Sequence, residues 1–359
     1  MENAKLKVVM LFGGRSGEHK VSLNSAKSVL QAIDPGRYTV QTVGISQEGR
    51  WYWGAQPDDL LAGDFPASGA FPLVTLVHDP SNPHFIALDG TSLADGGKFD
   101  LVFPVLHGPN GEDGTLQGLL ELADVPYVGS GVLGSSLGMD KDRMKAVFAH
   151  AGLPQAEYIS FLRSEFQKSP VASVRKVEQT LGYPCFVKPA NLGSSVGISK
   201  AHDKGELMEA FNIAFAYDRK AVVEQNISGR EIEIAVLGND HPEASVPGEI
   251  LPVNEFYDYE AKYTSTESKL IIPAELPLDL SNQLRKMAIQ GFLAVGASGL
   301  SRVDFFVTAD NKPYINEINT LPGFTQISMY PKLWDNTGVK YPELIDRLIA
   351  LALERYRDK

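Results

Sequence analysis

Cysteine is nearly missing from this sequence: Cys185 is the only one in 359 residues. One thiol cannot form an intramolecular disulfide, so a secreted disulfide scaffold is excluded and a reducing, cytoplasmic setting is expected. Cys185 lies in the apolar run Tyr183-Pro184-Cys185-Phe186-Val187 and reads as buried filler, not a nucleophile. Long hydrophobic runs are absent too. None reaches the roughly 18 residues of a membrane span, and the first, VVMLF, stops at Gly13-Gly14 as a strand does and a signal peptide does not. Positive charge is the third shortage. There are 33 Lys and Arg against 44 Asp and Glu, a formal net charge of −11. That argues against nucleic acid as a general partner and still allows a local basic pocket for a phosphate-bearing small molecule. Repeats and low-complexity tracts are missing, and so are the common nucleotide signatures. Gly13-Gly14-Arg15-Ser16-Gly17-Glu18-His19 does not fit G-x-G-x-x-G.

The length predicts two or three domains, and the 43% apolar content is that of a globular protein. The densest chemistry lies between Ser301 and Met329. Arg302, Asp304 and Phe306 alternate with Val303, Phe305 and Val307, and Ile315, Glu317 and Asn319 are expected to share one face of the next strand. A tight turn centred on Asp310-Asn311 sets Asp304 opposite Glu317 and Arg302 opposite Asn319. Two facing carboxylates repel, so a cation between them is expected; hard oxygen donors of this kind suit Mg²⁺ together with phosphates. Taken alone, such a hairpin reads equally as a solvated face.

The rest of the chain supplies possible partners for this hairpin. Strand, Gly-rich loop, helix from about Ser22 to Ile33 and strand fill residues 7–45, leaving Glu18 either to complement a helix dipole or to meet a ligand. Residues 47–98 read as a decorated excursion with short strands at LVTLVH and FIAL, in which no chemical pattern is legible. The buried strand FDLVFPVLHG delivers His107 to the start of the helix TLQGLLELAD, as a ligand contact or as a structural hydrogen-bonding group. PYVGSGVLGSS is expected as a strand followed by glycines. Helices are predicted at Asp140–Ala151, Pro170–Leu181, Asp203–Tyr217 (with an Asp203/Glu206 capping box), 280–295 and at the carboxyl end, where Leu344, Leu348 and Leu351 form the buried side. Between them, FVKPANLGSSVGIS places Lys188 on a strand ahead of a Gly-Ser loop whose amides can wrap phosphates. It is not a Walker A loop, because the lysine comes before the glycines. Glu224 closes an apolar strand, and Glu231 lies on the next one. The aromatic stretch around Phe256, Tyr257, Tyr259 and Tyr263 reads as a lid.

Together GGRSGEHKVS, LHGPNGEDGTLQG, GMDK, FVKPANLGSSVGIS, EQNISGREIEIAV, FYDYEAKY, SRVDFF and NEINTLPGFTQIS resemble the D-alanine–D-alanine ligases of the ATP-grasp superfamily, from Val8 to the last helix. The resemblance implies an α/β fold of three domains, with a Rossmann-like parallel-sheet domain at 1–138, a central ATP-grasp domain at 139–224 and a carboxyl-terminal one at 225–359. It implies ATP and two Mg²⁺ (or Mn²⁺) ions, held by Asp304, Glu317 and Asn319. ATP contacts fall on Lys141, Lys188, Gly193, Ser194, Ser195, Glu224, Glu231, Asn316 and Glu317. Glu18 would receive the first D-alanine's ammonium group in a triad with Ser194 and Tyr263, while Arg302 and the Gly323 N–H would hold the oxyanion. His107, Ser195, Lys262, Ser328 and Met329 complete the substrate contacts. Two D-alanines are the implied partners, in a cytoplasmic homodimer serving peptidoglycan synthesis. A D-alanine–D-lactate ligase and a non-catalytic nucleotide-binding regulator are the rival readings; EAKY with Tyr263 resembles the dipeptide-forming type.

Overall fold

The computed structural model describes residues 4–61, 70–251 and 269–359. The lid stretch with Lys262 and Tyr263 lies outside them. Near the amino terminus, β1 (Leu6–Gly13), β2 (Tyr38–Ile45), β3 (Trp51–Trp53) and β6 (Leu101–Val105) form a sheet in the order β3-β2-β1-β6. The pairings of β1 with β2 and β6 are parallel. Helix α1 (His19–Ala32) crosses from β1 to β2. It begins three residues before the predicted start because Ser22 is an anchor: its Oγ accepts from Gly13 N at 2.7 Å and donates to Val105 O. The excursion supplies α2 (Pro57–Leu61) and a two-stranded sheet of β4 (Val74–Val77) and β5 (His84–Ala87). Helix α3 (Thr115–Leu122) follows β6 as predicted. The expected strand at PYVG is reduced to one parallel bridge between Tyr127 and Val102, and Val132–Met139 forms a helix, α4.

After α5 (Lys141–His150), a second sheet in the order β7-β10-β8-β9 comprises β7 (Tyr158–Leu162), β8 (Cys185–Pro189), β9 (Ser199–Ala201) and β10 (Lys220–Gln225), all antiparallel. It is backed by α6 (Arg163–Lys168), which pattern reading missed, α7 (Pro170–Thr180) and α8 (Lys204–Tyr217). Only half of the predicted capping box on α8 forms. Asp203 accepts from the Gly205 and Glu206 amides, while Glu206 reaches past it to His202 N at 2.8 Å.

The third sheet runs β14-β13-β11-β15-β16, with β12 (Glu243–Ala244) beside β11 (Arg230–Gly238). Its other strands are β13 (Gly248–Leu251), β14 (Lys269–Ile271), β15 (Gly299–Val307) and β16 (Pro313–Asn319), and α9 (Leu278–Ala294), α10 (Met329–Thr337) and α11 (Tyr341–Arg357) pack on it. On α11, Leu344 and Leu348 are fully buried while Leu351 is only partly so. Asp304 faces Glu317 and Arg302 faces Asn319, as counted from the sequence, but by a different route. Val307 pairs with Pro313, so the connection is a five-residue loop with Asn311 at φ +61°, and a bulge between Asp304 and Phe305 restores the register. The bulge also corrects the face assignment. Ile315 turns into the core with Ile318, leaving the consecutive residues Asn316 and Glu317 both directed at the cleft.

Candidate active site

Two cavities meet over β16. The first, about 420 Å³, lies between the parallel-sheet domain and the third sheet; the second, about 440 Å³, lies between the second and third sheets. Ser195, Glu233 and Glu317 line both.

The first cavity is negative at one end. Glu18, just ahead of α1, caps nothing with its side chain; its carboxylate accepts from Ser194 Oγ, joining the first loop to the Gly-Ser loop. Space around that carboxylate is tight: a Cβ on Gly108 would sit 2.6 Å from Glu18 Oε2, and one on Gly193 2.8 Å. Ser194 and Ser195 hold left-handed backbone, φ +53° and +59°, which non-glycine residues adopt at a cost and which marks functional loops. Glu112, absent from the residues singled out by sequence, lines the same end and accepts from Gly108 N at 2.8 Å. Burial, then the charge of Glu18, pushes its carboxyl up to about 8. His107 is buried with both ring nitrogens engaged. Nδ1 donates to Leu321 O at 2.9 Å, because a carbonyl can only accept, and this leaves Nε2 to accept from Ser25 Oγ at 3.1 Å. Burial lowers its pKa and keeps the ring neutral.

The opposite wall carries Arg302, Gly323, Ser328, Met329 and Lys332. Arg302 grips Asp304 through two bonds, Nε to Oδ1 at 2.8 Å and a second guanidinium nitrogen to Oδ2 at 2.7 Å, and Glu233 lies 3.0 Å from Nε. Burial would lower its pKa, but Asp304 and then Glu233 hold it well above the ordinary value. Glu233 was missed in sequence, although it follows Glu231 by two on the same strand. Ser328, just ahead of α10, bonds Thr325 through Oγ, which accepts from Thr325 N at 3.1 Å and lies 2.7 Å from Thr325 Oγ1.

The second cavity is lined by Lys188, Glu224, Glu231, Asp304 and Asn316. Lys188 donates to Glu224 Oε2 at 2.8 Å and lies 3.5 Å from Asn316 Oδ1. Lys141, on the first turn of α5, lines the first cavity instead, donating to Leu192 O at 2.6 Å beneath the Gly-Ser loop. Asp304, Glu317 and Asn319 gather at the junction, with Asn319 Nδ2 donating to Asp304 Oδ2 at 3.1 Å. Among the described residues no three His, Cys, Asp or Glu side chains assemble to hold a metal. Two carboxylates and a carboxamide oxygen are nevertheless hard donors that fit a Mg²⁺-type ion, with triphosphate oxygens filling the other positions. Tyr263 and Lys262 lie outside the described residues.

Two antiparallel sheets closing on a cleft of lysines and carboxylates, beside a parallel-sheet domain, make an ATP-grasp fold. Residues 7–130 match the model of the D-ala D-ala ligase N-terminus and residues 147–350 that of its C-terminus. D-alanine--D-alanine ligases of Heliobacterium modesticaldum and Geobacillus kaustophilus are 52% and 51% identical to this chain, and each alignment covers 99% of the chain and 96% of the relative. Among solved structures, the D-alanine-D-alanine ligase of Coxiella burnetii aligns with TM-score 0.84 at 37% identity, covering 99% of this chain and 97% of that one. The VanG D-Ala:D-Ser ligase of Enterococcus faecalis aligns with TM-score 0.87 at 37% identity, covering 97% and 100%. The chain belongs to the D-alanine–D-alanine ligase family.

Proposed function

We propose that this chain joins two D-alanines into D-alanyl-D-alanine at the expense of ATP, for peptidoglycan precursor synthesis. The observation that carries this reading is the meeting of the two cavities at Glu317 and Ser195: the first sets Glu18 at one end and Arg302 on the opposite wall, suited to the two charges of an amino acid, and the second carries Lys188 beside the Gly-Ser loop, suited to a nucleotide. Carboxylates are poor acyl donors. An oxygen of the first D-alanine therefore attacks the γ-phosphorus, ADP leaves, and an acyl phosphate forms. The amine of the second D-alanine, having lost a proton, adds to the acyl carbon, and the tetrahedral adduct expels phosphate.

Glu18 holds the first ammonium group, fixed by Ser194 with Tyr263 as the third member of the triad. Lys141 and Lys188 meet the phosphates with Gly193, Ser194 and Ser195, while Glu224, Glu231 and Asn316 frame the nucleotide. Arg302 and the Gly323 N–H face the developing oxyanion. Ser328 and Met329, with Ser195, receive the second substrate's carboxylate, Lys262 completes the substrate contacts, and His107 holds the Leu321 carbonyl at the cavity wall. Asp304, Glu317 and Asn319 would hold the divalent ions, two Mg²⁺ or Mn²⁺, whose chemistry is to neutralise charge on the transferred phosphoryl group. Closure keeps water from the acyl phosphate. We assign a cytoplasmic homodimer; among the described residues no helix is long and apolar enough to cross a membrane. The test is release of phosphate from ATP that requires D-alanine, with dipeptide identified as product. Release that is independent of D-alanine, or equal with L-alanine, overturns the reading.

A further inference from the structure

At the wall of the nucleotide cavity, three ionisable side chains are largely buried. Glu224 presents one oxygen to each of two lysines: Oε2 is 2.8 Å from Lys188 Nζ and Oε1 is 3.4 Å from Lys145 Nζ. The two lysines are not equivalent. Lys188 lines the cavity on β8 and also approaches Asn316, whereas Lys145 is only 1% exposed, on α5 behind Glu224, with Nζ 5.6 Å from the centre of the Tyr158 ring. Lys145 Nζ makes no hydrogen bond among the described residues. As packing alone it is a poor choice, since a methionine of similar length would fill the space without burying a charge.

The imbalance of two lysines around one carboxylate makes sense if one lysine has a second client. Resting on the ligase reading, we propose that Lys145 is a positioning residue: it keeps Glu224 compensated and in place when Lys188 turns from Glu224 to the triphosphate. Without Lys145, Glu224 would hold Lys188 as its one counterion, and ATP would have to compete with a buried carboxylate for it. Burial alone would raise the Glu224 pKa; Lys145 and then Lys188 outweigh it and hold the carboxyl low, consistent with a carboxylate shared between both.

The test compares Lys145→Met, Glu224→Gln and the double variant in the full-length chain, by steady-state kinetics, MgATP binding and thermal unfolding. Lys145→Met is expected to raise KM for ATP about tenfold or more, with KM for D-alanine within about twofold and thermal stability not reduced. In the double variant a neutral glutamine no longer retains Lys188, so KM for ATP equals that of Glu224→Gln alone, the non-additivity expected when Lys145 acts through the Glu224 charge. An ATP KM within about twofold of wild type in Lys145→Met, or a double variant as impaired as the product of the singles, overturns the proposal. Should Lys145→Met fail to fold, the double variant decides against Glu224→Gln: an equal KM for ATP supports the proposal and one about tenfold higher overturns it. Wild-type protein that binds no MgATP takes the ligase reading down with this one; wild-type binding with an unaffected Lys145→Met removes this one only.

Discussion

At Glu317 activity and stability pull in opposite directions. Its carboxylate faces that of Asp304 across the ladder, a like-charge pairing that costs free energy even with Arg302 held on Asp304. Glu317→Gln is therefore expected to cut D-alanine-dependent phosphate release at least about 100-fold, while leaving thermal stability equal or higher by up to about 1 kcal/mol. Turnover retained at the wild-type rate would remove Glu317 from the metal site. Glu112 carries a second like-charge conflict, with Glu18. Its folded-state carboxyl keeps its proton up to about pH 8, whereas the unfolded chain releases it near the ordinary value of 4.5, so folded-state stability falls as pH rises between the two. Glu112→Gln should remove that loss, gaining about 3–4 kcal/mol at pH 8 relative to its effect at pH 5, read from urea unfolding at both values. Asp304, Glu317 and Arg302 were legible in sequence because a period of two and a turn place them. Glu112 and Lys145 were not. Their significance comes from what burial and tertiary packing set beside them, Glu18 for one and Glu224 for the other, and no local pattern announces that.

Among the elements, the β15–β16 hairpin shows how a right answer can be reached by a simpler geometry than the real one. Equal counting from a two-residue turn gives Asp304 opposite Glu317; the molecule reaches the same pairing with a longer loop plus a bulge. The two departures cancel at the site but not between them, which is why Ile315 was placed on the wrong face. The first turn of α1 was hidden because Ser22, and not apolar periodicity, anchors it, and α6, six residues long, is too short to show a period. Helix α5 offers the clearest test at this scale. Asp140 caps it, accepting from Asp142 N at 3.1 Å and Arg143 N at 3.2 Å, and takes Lys220 Nζ at 2.7 Å on both oxygens. Lys141 is the next residue, so the cap fixes where that ammonium group points. Asp140→Ala should cost about 2 kcal/mol of stability, read by chemical unfolding, and should raise KM for ATP more than KM for D-alanine. Equal changes in both constants would separate the cap from the nucleotide site.

Across the whole molecule, the distribution of core residues says which parts move together. One cluster joins Met10, Phe12 and Phe103 of the parallel sheet to Leu237 and Leu300 of the third sheet and to Trp334 and Leu348 of the helices behind it. The second sheet has a core of its own, from Ile159 to Val223, shared with neither. The segments 1–138 and 225–359, separate in a reading of the chain, are thus fused by packing, and α5 joins the latter by burying Met144 and Phe148 in its core. What ties the second sheet to this body is polar: Lys141 N to Ala190 O at 3.0 Å, Lys220 Nζ to Asp140 and Asp142, Ser160 Oγ to Asp142, Lys145 beside Glu224, Ser194 Oγ to Glu18, and Lys188 near Asn316. Some of these contacts border the two cavities, and with a core of its own the second sheet is expected to respond to core truncation separately from the fused body. Leu348→Ala tests the division. Leu348 is fully buried in the shared cluster, and its truncation should cost about 2–5 kcal/mol there. If the clusters are energetic units, hydrogen exchange will quicken in β1 and β6 as much as in β11 and β15, although Leu348 is far from β1 in sequence, and will change least in β8 and β10. Exchange that quickens only in the carboxyl-terminal strands would show three bodies instead of two, and the cleft would then have two moving walls.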